Sequence, residues 1–282
     1  MAFRSCQITT ALESLCRSLG PPAHLGAAYY ATGAVDLGAG VSNPAHAAPK
    51  NRFYKTVGIQ EAEGKTGFEV TLDGKPLRSP ARKDFILPTK SLALAIAAEW
   101  EWQDSKRVRP FTMPMMTLAS TAIDQPRTSQ QIIATLAEWL HTDALCCRET
   151  DGPVADLQAL VFNPILEWAR KELDADFVVS ESILGAPQPA EVVSRVSQSF
   201  EDLDTWHLTA LDAMAGACRS VILGFALLKG QLRVKDAIAA ARLEEDVQIQ
   251  EWGLVEGGHD IDIADINVRM AAPALLLHHL RR

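Results

Sequence analysis

The acidic run Glu244, Glu245 and Asp246 lies within a stretch whose apolar residues recur at helical spacing. At about 100° per residue, Glu245 projects near the centre of one face of a helix predicted over residues 234–252. That apolar face is formed by Ile238, Ala241, Ile249 and Trp252. A carboxylate among apolar side chains is costly to bury unless it is paired or accessible, so Glu245 is the strongest candidate for a functional side chain.

Three interpretations of Glu245 follow from this position. It could form an internal ion pair, for which the candidate partners are Arg195, Arg219 and Arg242. It could be a recognition carboxylate at the floor of an exposed apolar groove. It could also be a general acid or base, because burial raises the pKa of carboxyl groups. No second catalytic group stands at a fixed spacing to support this third interpretation.

The other reactive side chains are weak indicators of chemistry. Four residues that follow Gly257-Gly258 could be drawn as a metal site, namely His259, Asp260, Asp262 and Asp265. Such a cluster is more typical of a solvated loop that leads into a helix. Cys146 and Cys147 are adjacent, which matches no common metal site, and the sequence lacks the common nucleotide-binding and hydrolase motifs. We therefore predict no cofactor and no metal.

Composition and charge exclude two classes of protein. The 282 residues are 48% apolar, which is sufficient for a real core, and the net charge is −8. An acidic protein of this kind is a poor match for nucleic acid, whose phosphates require a basic face. The longest apolar stretches, such as 221–228, fall far short of the ~20 residues of a membrane span, so an integral membrane protein is not expected.

Residues 1–50 differ in composition from the rest of the chain. They contain eleven alanines and only two acidic residues, and the first twenty could form a short amphipathic helix. N-termini of this kind are typical of organelle transit peptides, which are removed after import. A disordered tail without a targeting role is the alternative.

A β pattern begins after residue 51. Phe68, Val70 and Leu72 alternate with polar residues, and Asp73-Gly74 follows as a hairpin signal. We predict a small antiparallel sheet over residues 52–88.

Helical patterns occupy the remainder. A stripe through Leu92, Ile96 and Trp100 predicts the first helix, with Thr89 or Ser91 as its cap. Three further helices are predicted to begin at a capping box of Thr128 and Gln131, at Asn163-Pro164 and at Pro189. Two more are predicted over 205–228 and 234–252, and a last helix is predicted to be interrupted or kinked at Pro273.

The six tryptophans are predicted to be packing residues, because aromatic side chains at helical spacing are usually part of a core. They are Trp100, Trp102, Trp139, Trp168, Trp206 and Trp252. The patterns together predict an α+β fold, with a small antiparallel β-rich N-terminal domain over 51–125 and a helical bundle over 126–282.

Several short motifs, taken in order, resemble one family of assembly chaperones. They are Arg52-Phe53-Tyr54, Phe68 to Leu77, Glu99-Trp100 with Gln103, Thr121 to Asp124, Thr142-Asp143 with Cys146 and Arg148, Glu167-Trp168, and Leu243-Glu244-Glu245 with Gln248, Trp252 and Gly253. This family binds the free alpha subunit of the catalytic head of the mitochondrial ATP synthase. The resemblance runs from Asn51 to about His259.

The resemblance implies a chaperone without catalytic activity that binds the alpha subunit and prevents its aggregation until the beta subunit joins. It also implies a C-terminal helical bundle of the orthogonal type, and the mitochondrial matrix as the location rather than a plastid. We expect the free protein to be monomeric. The competing classes are a scaffold for another organellar complex and an acid/base enzyme that uses Glu245 with His207 or His259.

The resemblance also assigns roles to particular residues. The carboxylate of the last motif is a functional position in the family, and it falls on Glu245, with Glu244 as the adjacent alternative. The expected client-binding residues are Glu245, Glu244, Gln248 and Trp252, and the expected structural residues are Trp100, Asp143 and Trp168. Trp102 departs from the family pattern, in which a smaller or polar residue is expected.

Overall fold

The computed structural model describes residues 51–281, in which a small antiparallel sheet precedes ten α-helices. The α+β prediction is therefore confirmed. The predicted leader over residues 1–50 lies outside the described residues. The division into domains at residue 125 stays a prediction.

The sheet is organised around its second strand. The strands are β1 (Val57–Glu61), β2 (Phe68–Leu72), β3 (Lys75–Pro76) and β4 (Ile86–Leu87). β2 pairs antiparallel with each of the other three. Between β2 and β3, Asp73 and Gly74 have φ angles of 50° and 75°, the left-handed conformation that a tight two-residue hairpin requires.

The helices follow in sequence order. They are α1 (Lys90–Glu101), α2 (Pro114–Asp124), α3 (Ser129–Trp139), α4 (Gly152–Leu173), α5 (Ala190–Glu201), α6 (Thr205–Cys218), α7 (Val221–Leu228), α8 (Val234–Ala241), α9 (Leu243–Trp252) and α10 (His259–Leu280). Two predicted caps are confirmed: Thr89 accepts a hydrogen bond from the Leu92 amide, and Thr128 and Gln131 form a reciprocal capping box.

The core is continuous from the sheet into the helices. α1 packs against β1 and β2, and α6 packs against α2, α3, α7, α8 and α10. Buried apolar side chains from the sheet and from these helices form one connected cluster. α7 contributes all eight of its residues to this interior, which explains its uniformly apolar sequence.

The predicted helix start at Asn163-Pro164 is wrong. α4 begins at Gly152 and continues through Pro164 to Leu173. A proline within a helix removes one backbone hydrogen bond. Burial of the neighbouring Ile165 and other residues of the same face holds this helix together despite that loss.

The helix predicted over 205–228 is broken in two. Arg219 adopts a left-handed conformation with φ of 53°, and the Ser220 hydroxyl caps α7 by accepting from the Leu223 amide at 3.0 Å. A buried aspartate located 77 residues earlier in the sequence also accepts a hydrogen bond from Ser220. No glycine or proline marks this break, so local pattern could not reveal it.

The helix predicted over 234–252 is also broken, at Arg242. Ile238 belongs to α8 and Trp252 to α9, so the continuous apolar face that was predicted around Glu245 does not form. Arg242 is buried and its guanidinium lies 3.3 Å from a carboxylate oxygen of Asp246. This ion pair is local, because it joins the residue before α9 to the first turn of the same helix.

Two predictions near the C-terminus are corrected as well. His259 and the three aspartates after it do not form a solvated loop, because they begin α10, where Asp260 and Asp262 lie favourably in the first turn. The predicted interruption at Pro273 is wrong, because α10 continues through this buried residue, and the alternative of a kink there stays a prediction.

The prediction that all six tryptophans pack in the core is also wrong. Trp100 is buried, but Trp102 is 88% exposed, Trp252 is 77% exposed and Trp139 is partly exposed. Trp102 is the C-cap residue just after α1, and Trp252 is the last residue of α9. Helix-terminal positions project away from the core even where the spacing continues the apolar stripe.

Candidate functional site

α9 is a surface helix with one buried side. Leu243 and Val247 are buried, and α9 packs against α4. Gln248 and Trp252 are exposed. The helix therefore presents a polar and aromatic surface to solvent while two aliphatic side chains anchor it.

Glu245 forms an ion pair with Arg219. The distance from Oε1 of Glu245 to Nη2 of Arg219 is 3.1 Å. The Arg219 side chain is 81% exposed and the Glu245 side chain is 32% exposed. The pairing agrees with one of the three interpretations, but the pair lies at the surface and not inside the protein. The carboxylate of Glu245 is accessible.

Glu244 has a different environment. Its Oε1 accepts a hydrogen bond of 2.7 Å from the side-chain amide of Gln158, which is buried on α4. The side-chain oxygen Oε1 of Gln158 in turn accepts from the backbone amide of Glu149 at 2.8 Å. Glu244 is thus tied to a buried polar network, whereas the partner of Glu245 is a solvent-exposed arginine.

Gln158 was not identified from the sequence. It precedes Val161, Phe162 and Ile165 on the buried face of α4. A polar residue on an otherwise apolar stripe is the signal that could have identified it, since buried polar groups require partners.

Asp246 pairs with the buried Arg242, and its side chain is nearly as exposed as that of Glu245. Burial raises the pKa of the Asp246 carboxyl group, and the nearby Arg242 opposes that rise. The three acidic residues of the run thus have three different partners. Asp246 pairs with buried Arg242, Glu244 accepts from buried Gln158, and Glu245 pairs with exposed Arg219.

Asp143 lies beneath the junction that carries Arg219. It is fully buried, and one carboxylate oxygen accepts from the Ser220 hydroxyl at 2.7 Å and from the Leu145 amide at 3.0 Å. The other oxygen accepts from the Ile222 amide at 3.1 Å. Burial raises the pKa of this carboxyl group, and the hydrogen bonds oppose the rise. Asp143 therefore helps to position the break between α6 and α7.

Trp100 and Trp168 pack against other aromatic side chains. The backbone carbonyl of Trp100 accepts a hydrogen bond of 2.6 Å from the Tyr54 hydroxyl, and the two rings meet edge to face at 5.5 Å. Trp168 is half-buried against Phe225, with ring centroids 5.9 Å apart. Both contacts are those of packing residues.

The stretch from α9 into the start of α10 is rich in acidic residues and also exposes apolar side chains. Residues 243–268 include eight aspartates and glutamates and no lysine or arginine. Trp252, Leu254, Val255 and Ile261 are exposed in the same stretch. Large apolar side chains exposed together are typical of an interaction surface.

The two histidines considered as catalytic partners of Glu245 have other contacts. His207 bonds to Asp204 at 2.8 Å, and the ring of His259 accepts from the Val255 amide at 3.2 Å. Within residues 51–281, no group of three or more His, Cys, Asp or Glu side chains is arranged to hold a metal ion. In the same range no helix is both long and apolar enough to cross a membrane.

Comparison with known proteins defines the class as a chaperone. A family model described as "ATP12 chaperone protein" matches residues 51–170. The crystal structure of Atp12 from Paracoccus denitrificans superposes with a TM-score of 0.73 at 32% identity, covering 82% of this chain and 98% of that one. The chain belongs to the ATP12 chaperone family.

Two curated relatives support the same assignment. The mitochondrial protein atp12 of Schizosaccharomyces pombe is 29% identical over 238 residues, with 80% of this chain and 81% of the relative covered. The mitochondrial protein ATP12 of Saccharomyces cerevisiae is 22% identical over 268 residues, with 79% and 82% covered.

Proposed function

We propose that this protein binds the unassembled alpha subunit of the ATP synthase catalytic head and prevents its aggregation until the beta subunit joins. The single observation that supports this most is the accessible Glu245 carboxylate on α9, with exposed Trp252 at the end of the same helix. The family motif that ends the resemblance falls on this helix. The alpha subunit is called the client below.

The chemistry of α9 suits temporary binding of an unassembled interface. An unassembled subunit exposes apolar surface that would otherwise aggregate, and Trp252 offers an aromatic contact for it. Glu245 offers a charge-assisted hydrogen bond, which contributes roughly 1.5–3 kcal/mol. Glu244 and Gln248 flank this contact on the same helix. A few such contacts give a complex that a competing subunit can displace.

The proposal involves no catalytic step, cofactor or metal. It places the mature protein in the mitochondrial matrix after removal of the leader, in keeping with the mitochondrial names of the two curated relatives. The free protein is proposed to be a monomer.

The direct test is an aggregation assay with purified subunits. Denatured alpha subunit is diluted into buffer with and without this protein, and light scattering is recorded. We expect suppression at near-stoichiometric amounts and release of the client when beta subunit is added. An unrelated aggregating protein serves as the control substrate. Equal suppression for both substrates would favour a general holding activity, and no suppression of the alpha subunit would refute the proposal.

A further inference from the structure

A groove lies on α1, away from the contacts made by α9. It has a volume of about 450 Å³ and lies between the C-terminal half of α1 and the segment that follows it. Ala95 and Ala98 line it with their small side chains, and Glu99 and Trp102 line it one turn further along. The groove is thus apolar along part of its length, and two carboxylates line it, those of Glu99 and Asp104.

Glu99 has hydrogen bonds but no counter-ion. Its two carboxylate oxygens accept from the backbone amides of Met115 and Met116, each at 2.8 Å, at the start of α2. In the part of the chain that the structure describes, no lysine or arginine lies within ion-pair distance of it. Burial raises the pKa of Glu99 to about 7, and the two backbone amides oppose that rise. A cation that entered the groove would meet a carboxylate without a charged partner.

Arg109 also lines this groove, and it is paired with Asp104, another lining residue. The guanidinium of Arg109 lies 3.7 Å from a carboxylate oxygen of Asp104. The backbone amide of Arg109 donates to the side-chain oxygen of Gln103 at 2.7 Å, which fixes this segment beside α1. Arg109 therefore balances Asp104 and leaves Glu99 available.

Trp102 supplies the other feature of a cation site. It is 88% exposed at the end of α1, so little of its ring is used for packing. Tryptophan is the aromatic side chain that attracts cations most strongly over its face. A tryptophan, a carboxylate and two alanines fit a side chain that has an aliphatic stem and a positively charged head.

We propose that this groove binds a lysine or arginine side chain of the client, with its charged head at Glu99, its stem along Ala95 and Ala98, and the Trp102 ring against it. The contact is a second attachment point on α1, separate from α9. The inference rests on the proposed function only in naming the client as the protein that supplies the lysine or arginine. Binding of a cation to the groove can be tested without the client.

The first experiment uses small probes in place of the client. n-Butylguanidinium carries the proposed charged head and stem, and n-butylurea has nearly the same shape without the charge. Each is titrated into the full chain at pH 8, above the Glu99 pKa of about 7, so that this carboxyl group is mostly ionised. The NMR signal of the Trp102 indole is followed, and Trp102→Ala is used to assign it. We expect saturable binding of the cation with a Kd on the order of millimolar and at least fivefold weaker binding of the urea.

A charge effect must also depend on Glu99. In Glu99→Gln the preference for the cation over the urea should disappear, and a melting curve shows whether this variant is folded. Equal binding of both probes, or no shift of the Trp102 signal with either, would overturn the inference. A preference that survives in folded Glu99→Gln would overturn the role of Glu99.

The second experiment tests the source of the side chain. Trp102→Ala should weaken capture of the alpha subunit by about fivefold, in line with loss of a cation–π contact. Phe111→Ala is the matched control, since Phe111 is another exposed aromatic residue that does not line the groove. Unchanged capture by Trp102→Ala would overturn the client as the source. If wild-type protein captured no alpha subunit, the proposed function would fail, and the probe titration alone would decide the groove.

Discussion

The carboxylate of Glu245 and the guanidinium of Arg219 form an ion pair of 3.1 Å in which the arginine side chain is four-fifths exposed. Arg219 occupies the left-handed position that ends α6, so the pair joins that helix end to the first turn of α9. An exposed pair of this kind contributes only about 0–1 kcal/mol to stability. Glu245 can therefore exchange Arg219 for a group on another protein at small cost.

The first prediction is that Glu245→Gln changes the free energy of unfolding by less than about 1 kcal/mol. The amide keeps the shape of the side chain and can still accept from Arg219. Urea unfolding of the variant and of wild type measures the difference. A loss of roughly 3–5 kcal/mol, the amount expected when a buried pair is broken, would show that Glu245 is a core residue.

Removal of the Asp143 carboxylate should lower the stability strongly, in contrast to the small effect expected at Glu245. Asp143→Ala leaves the Ser220 hydroxyl and the Leu145 and Ile222 amides without their buried acceptor. We expect a loss of roughly 3–5 kcal/mol of stability by urea unfolding, because each unsatisfied buried donor is costly. Exposed Asp202 on the same protein is the control, and Asp202→Ala should unfold like wild type. Similar midpoints for both variants would contradict the role of Asp143.

Glu99 should make the stability depend on pH. Its folded-state pKa of about 7 lies above the usual value of 4.5, so the folded state binds the proton more tightly. Below about pH 4.5 this tighter proton binding contributes its full stabilisation of the folded state, about 3 kcal/mol. The stabilisation is lost as the pH rises through the folded-state pKa of about 7. Melting temperatures from pH 5 to 8 should therefore fall more steeply in wild type than in Glu99→Gln.

Comparison of the two pH profiles isolates this carboxylate. Burial also raises the pKa of Asp143, Asp212 and Asp246, but these residues are present in both proteins. If the melting temperatures of wild type and Glu99→Gln changed equally with pH, the raised pKa assigned to Glu99 would be contradicted.

Trp100 and Trp102 provide a matched pair two residues apart. Trp100 is 9% exposed and packs against Tyr54, whereas Trp102 is exposed. Trp100→Arg loses core packing worth roughly 3–5 kcal/mol and adds a buried charge, so little soluble protein is expected. Trp102→Arg should be soluble and fold normally. Expression yield and melting curves decide this, and a Trp100→Arg variant that melts close to wild type would refute a core role.

The sequence was sufficient for those features that depend on local pattern. Alternation and the Asp73-Gly74 turn predicted the antiparallel sheet, and Thr128 with Gln131 predicted a cap that the structure contains. These signals are local because a turn or a cap involves residues only a few positions apart.

The breaks at Arg219 and Arg242 could not be predicted in the same way. The first depends on Asp143, which is distant in sequence and holds the start of α7 from beneath. At the second, no glycine or proline interrupts the helical pattern, and the pair of Arg242 with Asp246, four residues on, is equally typical of an unbroken helix. The position of Glu245 was therefore inferred from a helix that does not exist as one piece. Its accessibility depends on where these breaks place α9, which periodicity alone does not give.

Capture of the alpha subunit by Glu245→Lys tests the central claim most directly. Glu201→Lys is the matched control, because Glu201 is an exposed glutamate at the end of α5, outside the stretch 243–268, and undergoes the same charge reversal. Binding of purified alpha subunit is measured for both variants, with melting curves recorded on the same samples. We predict that Glu245→Lys remains folded but binds the alpha subunit about tenfold or more weakly than wild type, while Glu201→Lys binds normally. Wild-type affinity in folded Glu245→Lys would contradict the proposal that this carboxylate recognises the client.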